Sequence, residues 1–203
     1  MTDLILLRHG QSQWNAENRF TGWAEVPLSP RGEEDARTAA KKLVGRKIDK
    51  LHTSSMQRAI QTADIVLSEL GMNGVPTERS AALNERNYGD LQGMNKDEIR
   101  RKYGEEQFMQ WRRSFEGRPP NGESLSDTSE RVLPYWRSNI LPDIAAGSNV
   151  LVVAHGNSIR ALVKHLDGLS KEAVAKLEIP WDAPLFYESS ETVDGLFITK
   201  NYI

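Results

Sequence analysis

The residues best placed to do chemistry lie where two apolar runs end in a histidine. Leu4–Leu7 leads into Arg8-His9-Gly10, and the run ending at Ala154 leads into His155-Gly156-Asn157. Two of the four histidines thus follow buried-strand patterns, each with a glycine directly behind it. A neutral imidazole nitrogen is an accepted covalent nucleophile, and phosphorus is among its targets. Gly10 would let the backbone turn sharply and approach a ligand. The next residues, Gln11 to Asn15, bring amide and hydroxyl donors, Ser12 and Asn15 among them, and free N–H groups at a helix start favour phosphate. A third candidate is Arg58, in Ser54-Ser55-Met56-Gln57-Arg58, at the first turn of an expected helix. A cation there opposes the helix dipole, a placement that makes sense where an anion sits between the two.

These groups suit phosphoryl transfer. The moving group spreads negative charge over its equatorial oxygens, so its catalysis is mainly positioning and cationic stabilisation. Arg8 and Arg58 offer bidentate forks that stay charged at any working pH. His155 adds a donor that charges as phosphate binds, and the scheme needs no metal. The plainer alternative is an ordinary strand-end histidine bonded to backbone, and the recurrence of the arrangement weighs against it.

Something must hold these residues together. Leu4–Leu7, Lys50–Thr53 and Asn149–Ala154 read as buried strands, apolar or β-branched and bounded by polar residues. Helical patterns follow at about Pro30–Leu43, Met56–Leu70 and Asn157–Leu166. In the second, Ile60, Ala63, Val66, Leu67 and Leu70 share a face and Gly71 ends the run. Strand and helix in alternation predict an α/β fold: a mostly parallel sheet with helices on both faces, a three-layer sandwich. Such sheets bind ligands at the carboxyl ends of their strands. The segment EGRPPNGESLS, rich in Pro and Gly, joins two helical patterns. It reads as an excursion over one domain spanning residues 1–203, with a lid-like loop at about 114–126.

Composition sets the limits. The 203 residues carry a formal net charge of -2, which gives no global field for nucleic acid or an anionic membrane. Anion binding must come from locally clustered arginines. The absence of cysteine excludes a disulfide scaffold, a thiolate metal site and a cysteine nucleophile, and suits a reducing cytoplasm. No run reaches the roughly 20 apolar residues of a membrane span, and the N-terminus does not read as a signal peptide.

The motifs together resemble a known family. Leu7-Arg8-His9-Gly10, Arg58 within Ser-Ser-Met-Gln-Arg-Ala-Ile-Gln-Thr, and His155-Gly156 are similar to the histidine phosphatase superfamily. Within it, the stretches RHGQSQWNAENRFTGW, LNERNYGDLQGMNKDEIRRKYGEEQFMQWRRSFEGRPP and AHGNSIRALV resemble the 2,3-bisphosphoglycerate-dependent phosphoglycerate mutases. The resemblance runs along nearly the whole chain. It implies interconversion of 3-phosphoglycerate and 2-phosphoglycerate, a step of glycolysis and gluconeogenesis, through a phosphohistidine and without a metal. It implies that His9 carries the phosphoryl group, that Arg8, Arg58 and His155 surround it, and that Glu85 exchanges a proton with the substrate hydroxyl. Glu85 suits that work if its proton affinity is raised towards neutrality. Ser12, Asn15, Thr21, Gly22, Arg86, Tyr88, Lys96, Arg112, Arg113, Gly156 and Asn157 fall at substrate-binding positions. Adjacent arginines ending an amphipathic helix, as in Trp111-Arg112-Arg113, can instead complement its dipole. A bisphosphorylated cofactor, however, carries roughly four negative charges, more than Arg8 and Arg58 offset. The resemblance also implies a homodimer or homotetramer in the cytoplasm, and a surface strand around Leu51 or the helix after Ser54 offers an interface.

Three features depart from that family. The loop after Arg113 is short, so a less complete lid would admit water to the phosphohistidine. Residues 179–184 read Ile-Pro-Trp-Asp-Ala-Pro where the family has a glycine-containing turn, and the tail offers few lysines, with Lys200 near its end. Two competing readings therefore stand beside the mutase: a phosphatase that discharges the same histidine to water, and a catalytically silent binding protein. His52, within a strand, and His165, near a helix end, are not assigned to the site, and Trp136 reads as packing.

Overall fold

Leu4, Ile5, Leu6 and Leu7 are fully buried because the strand that carries them has a packed layer on each side. The computed structural model describes residues 2–192 and 195–201, with side chains through residue 190. In chain order the elements are β1 (Thr2–Arg8), α1 (Gln13–Ala16), α2 (Pro30–Lys42), β2 (Lys50–Ser54), α3 (Gln57–Glu69), β3 (Thr77–Ser80), α4 (Lys96–Tyr103), α5 (Glu105–Arg113), α6 (Leu125–Tyr135), α7 (Leu141–Ala145), β4 (Val150–Ala154), α8 (Gly156–Leu166), α9 (Lys171–Lys176), β5 (Leu185–Thr192) and β6 (Gly195–Asn201).

The sheet has the order β3-β2-β4-β1-β5-β6. The first four strands are parallel, while β5 runs antiparallel to β1 and β6 antiparallel to β5. Side chains alternate across it. Leu4, Leu6, Val150 and Val152 face one core with Val132 of α6 and Ile159 and Leu162 of α8. Ile5, Leu7, Leu151 and Val153 face another with Ala36 and Ala39 of α2 and Ala63 and Val66 of α3. This is the expected three-layer arrangement.

Register is what makes the site. Arg8 pairs with Ala154, so His9 and His155 leave neighbouring strands at the same level. The His9 N–H donates to the Ala154 carbonyl at 2.9 Å. Behind His9 the chain passes α2 at backbone contact. A Cβ on Gly10 would lie 2.0 Å from the Gly32 carbonyl oxygen. Gly10 is not among the positive-φ glycines. Its need for glycine therefore comes from this close approach, and not from the sharp turn expected of it. A third, smaller core of Phe20, Leu91, Ile99 and Phe108 mounts α4 and α5, the latter ending in Arg112 and Arg113.

Several expectations need correction. The strand around Leu51 is not at the surface: β2 lies between β3 and β4, and Leu51 is buried. On that side the edge is β3, and on the other it is β6; the β3 sequence Thr-Glu-Arg-Ser gave no apolar signal because an edge strand is only partly covered. β5 and β6 also went unread. The loop after α5 ends at Ser124, sooner than expected, because Ser124 Oγ accepts from the Asp127 N–H while Asp127 accepts from the Ser124 N–H, starting α6 at Leu125. The Lys200 side chain lies outside the described residues. Among the described residues, no helix is long and apolar enough to cross a membrane.

Candidate active site

His9 is almost fully buried, and its Nδ1 lies 2.6 Å from the Gly10 carbonyl oxygen. A carbonyl only accepts, so Nδ1 carries the proton and Nε2 presents a lone pair. Burial, then the neighbouring Arg58 and Arg8 guanidiniums, hold the His9 pKa well below its ordinary value of 6.5. The ring is therefore neutral near pH 7, the form that can attack phosphorus. His155 sits edge-on to it, ring centroids 4.8 Å apart. Its Nε2 meets Ser54 Oγ at 2.7 Å, and its buried Nδ1 has no hydrogen-bond partner. Burial, then Arg58, also keeps the His155 pKa well below 6.5.

Two arginines flank the pair. Arg58, in the first turn of α3, is fully buried and donates to the carbonyls of Gly22 at 2.7 Å and Ala24 at 3.0 Å. Its Nε points at His9 Nε2, 3.4 Å away. Desolvation lowers its pKa to about 10, which still leaves it charged. Arg8 donates through Nη1 to the Ile179 carbonyl at 2.9 Å and lies 5.0 Å from the centre of the Trp181 ring.

Glu85 lies within the same cluster: one ligand-type atom from each of His9, Glu85 and His155 falls within 4.8 Å of the others. Those three residue types could hold a metal ion. With Arg8 and Arg58 beside them, however, the field favours an anion over a cation. Glu85 Oε1 accepts from the Arg86 N–H at 2.7 Å and from Asn157 Nδ2 at 2.9 Å. Burial alone would raise its pKa; those donors and the Arg58 and Arg8 charges outweigh burial and hold it below the usual carboxylate range. The raised proton affinity expected from sequence is thus not what these neighbours give Glu85, because the hydrogen-bond donors and the two guanidiniums outweigh burial.

The cavity measures about 400 Å³. It gathers Arg8, His9, Asn15, Thr21, Gly22, Arg58, Glu85, Tyr88, Arg112, Arg113, Gly156 and Asn157, all anticipated from sequence. Four anticipated residues do not line it. His155 meets the His9 ring edge-on, 4.8 Å between centroids. Ser12 caps α1, its Oγ accepting from the Asn15 N–H at 3.2 Å, and so orients Asn15. Arg86 is buried and braces its neighbours, donating to Tyr88 Oη at 3.1 Å and to the Arg112 carbonyl at 2.8 Å. Lys96 starts α4 with its Nζ 5.9 Å from the Phe20 ring centre. Its pKa is lowered first by burial, while Tyr88, Arg112, Arg8 and Arg113 also act on it, so it belongs to the same electrostatic neighbourhood.

The remaining wall is Arg160, Glu178, Ile179, Pro180 and Trp181, which sequence reasoning missed. Arg160 had a readable signal, standing one helical turn beyond Gly156 in the helix that opens at the site. Glu178 and Trp181 had none. None of residues 114–126 lines the cavity. Behind Glu85, Arg131 donates to its carbonyl at 2.8 Å and Trp23 Nε1 does so at 2.6 Å, fixing the backbone that carries the acid. His52 lies apart, between Tyr135 Oη and Asp143, each at 2.9 Å.

A neutral histidine at a strand end, in a cavity of guanidiniums, defines a phosphoryl-carrying type of site. The sequence pattern of the histidine phosphatase superfamily (branch 1) matches residues 4–184, and the chain belongs to that superfamily. Among its relatives, the 2,3-bisphosphoglycerate-dependent phosphoglycerate mutase of Parvibaculum lavamentivorans is 51% identical over 187 residues, covering 91% of this chain and 89% of that protein. The phosphoglycerate mutase of Schizosaccharomyces pombe is 48% identical, covering 98% and 95%. Of solved structures, Bacillus stearothermophilus YhfR matches with a TM-score of 0.81 at 29% identity, covering 94% of this chain and 92% of that one. Mycobacterial hydrolase 1, at 24% identity and a TM-score of 0.86, covers 100% and 98% and shares the fold.

Proposed function

We propose that the protein interconverts 3-phosphoglycerate and 2-phosphoglycerate, a step of glycolysis and gluconeogenesis, with His9 as phosphoryl carrier. The observation that carries this reading is the neutral His9, its Nε2 lone pair facing the Arg58 guanidinium, inside a cavity that also holds Glu85 and an arginine wall. Relatives about half identical over nearly the full length support it. 2,3-Bisphosphoglycerate supplies the priming phosphoryl group. The buried but unpartnered Arg8 Nε, Thr21 Oγ1, Arg113 Nη1 and His155 Nδ1 fit such an anion.

The residues divide the work. His9 Nε2 bonds to phosphorus as a donor P–O bond breaks, and Arg8 and Arg58 neutralise the charge on the transferring oxygens. His155, its ring 4.8 Å from that of His9, gains a proton as the dianionic phosphoryl forms on His9 and then adds a positive charge beside it. Glu85 takes the proton of the substrate hydroxyl as that oxygen bonds to phosphorus and the bond to His9 breaks. It returns the proton to the second oxygen when His9 accepts the other phosphoryl group. One carboxyl thus serves both half-reactions, and phospho-His9 is regenerated. A phosphoryl group beside Arg8 and Arg58 offsets the charges that depress Glu85, moving its pKa back up.

Supported by the lack of cysteine, a cytoplasmic location belongs to this reading. So does assembly as a homodimer or homotetramer, supported by the open edge of β3; sedimentation velocity showing only the single-chain mass would remove the latter. Turnover of 3-phosphoglycerate with and without a trace of 2,3-bisphosphoglycerate, with released phosphate measured alongside, tests the activity. Isomerisation should depend on the bisphosphate and outrun phosphate release. Release equal to or faster than isomerisation would make the protein a phosphatase.

A further inference from the structure

Glu178 stands in the cavity wall as an anion shared by two arginines. Its Oε1 lies 2.5 Å from Arg113 Nη2 and its Oε2 lies 3.8 Å from Arg160 Nη2. The partners differ in kind: the Glu178 side chain is 71% exposed, those of Arg113 and Arg160 only 18% and 9%. Arg160 is anchored otherwise, donating through Nε to the Leu177 carbonyl at 2.8 Å and through Nη1 to Asn157 Oδ1 at 3.4 Å. The amide of the same Asn157 holds Glu85. Arg113 keeps a buried Nη1 with no hydrogen-bond partner. Burial, then repulsion from Arg113 and Arg8, lowers the Arg160 pKa to about 10. Two like charges are therefore packed where a second anion would relieve them, and the present one is held at its exposed end.

We propose that Arg113 and Arg160 form the subsite for the anionic group that is not transferred to His9, and that Glu178 fills this subsite until the substrate displaces it. The choice of ligand rests on the mutase reading: 3-phosphoglycerate carries a carboxylate besides its phosphate. An exposed carboxylate is released at little cost, because water solvates it again and exposed ion pairs contribute little. The incoming anion is held by the buried guanidiniums that Glu178 leaves. A ligand with one anionic group, such as inorganic phosphate, is satisfied beside His9 and has nothing with which to displace Glu178. Glu178 thereby competes with two-anion ligands alone and tunes their affinity, while single-anion ligands are left unaffected.

Calorimetric titration of the full chain and of Glu178→Gln with 3-phosphoglycerate, and separately with inorganic phosphate, tests this. The amide keeps the shape and removes the charge, so 3-phosphoglycerate should bind about threefold to fivefold more tightly. Inorganic phosphate should change by less than about twofold, since it does not reach the subsite. Arg160→Gln should weaken 3-phosphoglycerate by about tenfold and leave phosphate binding in place. No tightening of 3-phosphoglycerate in Glu178→Gln, or absence of its binding altogether, overturns the proposal. Equal tightening of both ligands overturns it too, as a general change of field. Failure of the mutase reading shows separately, as absence of isomerisation by the unaltered protein.

Discussion

The two sides of the cavity are built in different ways. Around His9, Arg58 and His155 are fully buried, and their positions follow from strand register and from bonds to main-chain carbonyls. Around Glu178, long side chains meet across loops, and the central carboxylate is mostly in water. The first side is fixed before any ligand arrives, as a reacting nitrogen requires. The second is held by exchangeable ion pairs, which suits the recognition of whatever the phosphoryl group is attached to.

The largest test of the contrast is His9→Ala. It should abolish both phosphoenzyme formation and turnover while leaving 3-phosphoglycerate binding measurable, because the outer wall is intact. Turnover that survives the substitution ends the phosphohistidine mechanism. Trp181→Ala should act far more mildly. Arg8 loses the ring 5.0 Å away but keeps its bond to the Ile179 carbonyl. Phosphate affinity should fall about threefold by calorimetry, in line with a partly exposed cation–π contact. A loss as deep as that of His9→Ala would mean that the wall, too, is part of the fixed machinery.

The smallest expected effect is on stability. Burial and the arginines depress the pKa values of His9 and His155 in the folded chain, and burial depresses that of His52. Below about pH 6.5 the unfolded chain therefore binds protons that the folded one refuses, and stability rises with pH there. The contribution is present above that pH and is lost as the pH falls towards the folded-state values. Calorimetry should show a lower melting temperature at pH 5.5 than at 7.5, by roughly 2–4 °C for each kcal/mol lost. Inorganic phosphate should recover part of the difference by pairing with protonated imidazoles beside His9. A melting temperature that is flat with pH would contradict the burial of neutral histidines.

Sequence reasoning reached the fixed side almost whole. Leu4–Leu7 and the run ending at Ala154 are too short and too apolar to be anything but buried strands, and a histidine directly after each must emerge at a strand end. Resemblance added Glu85, Arg112 and Arg113. It also assigned Arg86 and Ser12 to the substrate; neither lines the cavity, and their hydrogen bonds run to Tyr88 and Asn15. The edge strand β3 escaped because its residues are polar. β2 was readable as a buried strand, but its interior place between β3 and β4 escaped because a single strand does not reveal its neighbours.

What the sequence determined by itself is therefore the set of reactive side chains: a histidine at a strand end, its flanking arginines and the sheet that presents them, all encoded in local runs of residues. Only the tertiary structure decided how those side chains are enclosed. Glu178 meets Arg113 across 65 positions of chain, and Arg131 reaches the Glu85 carbonyl across 46. No local pattern specifies such pairs, because the cost of closing a chain loop depends only weakly on its length and the fold alone chooses which ends meet.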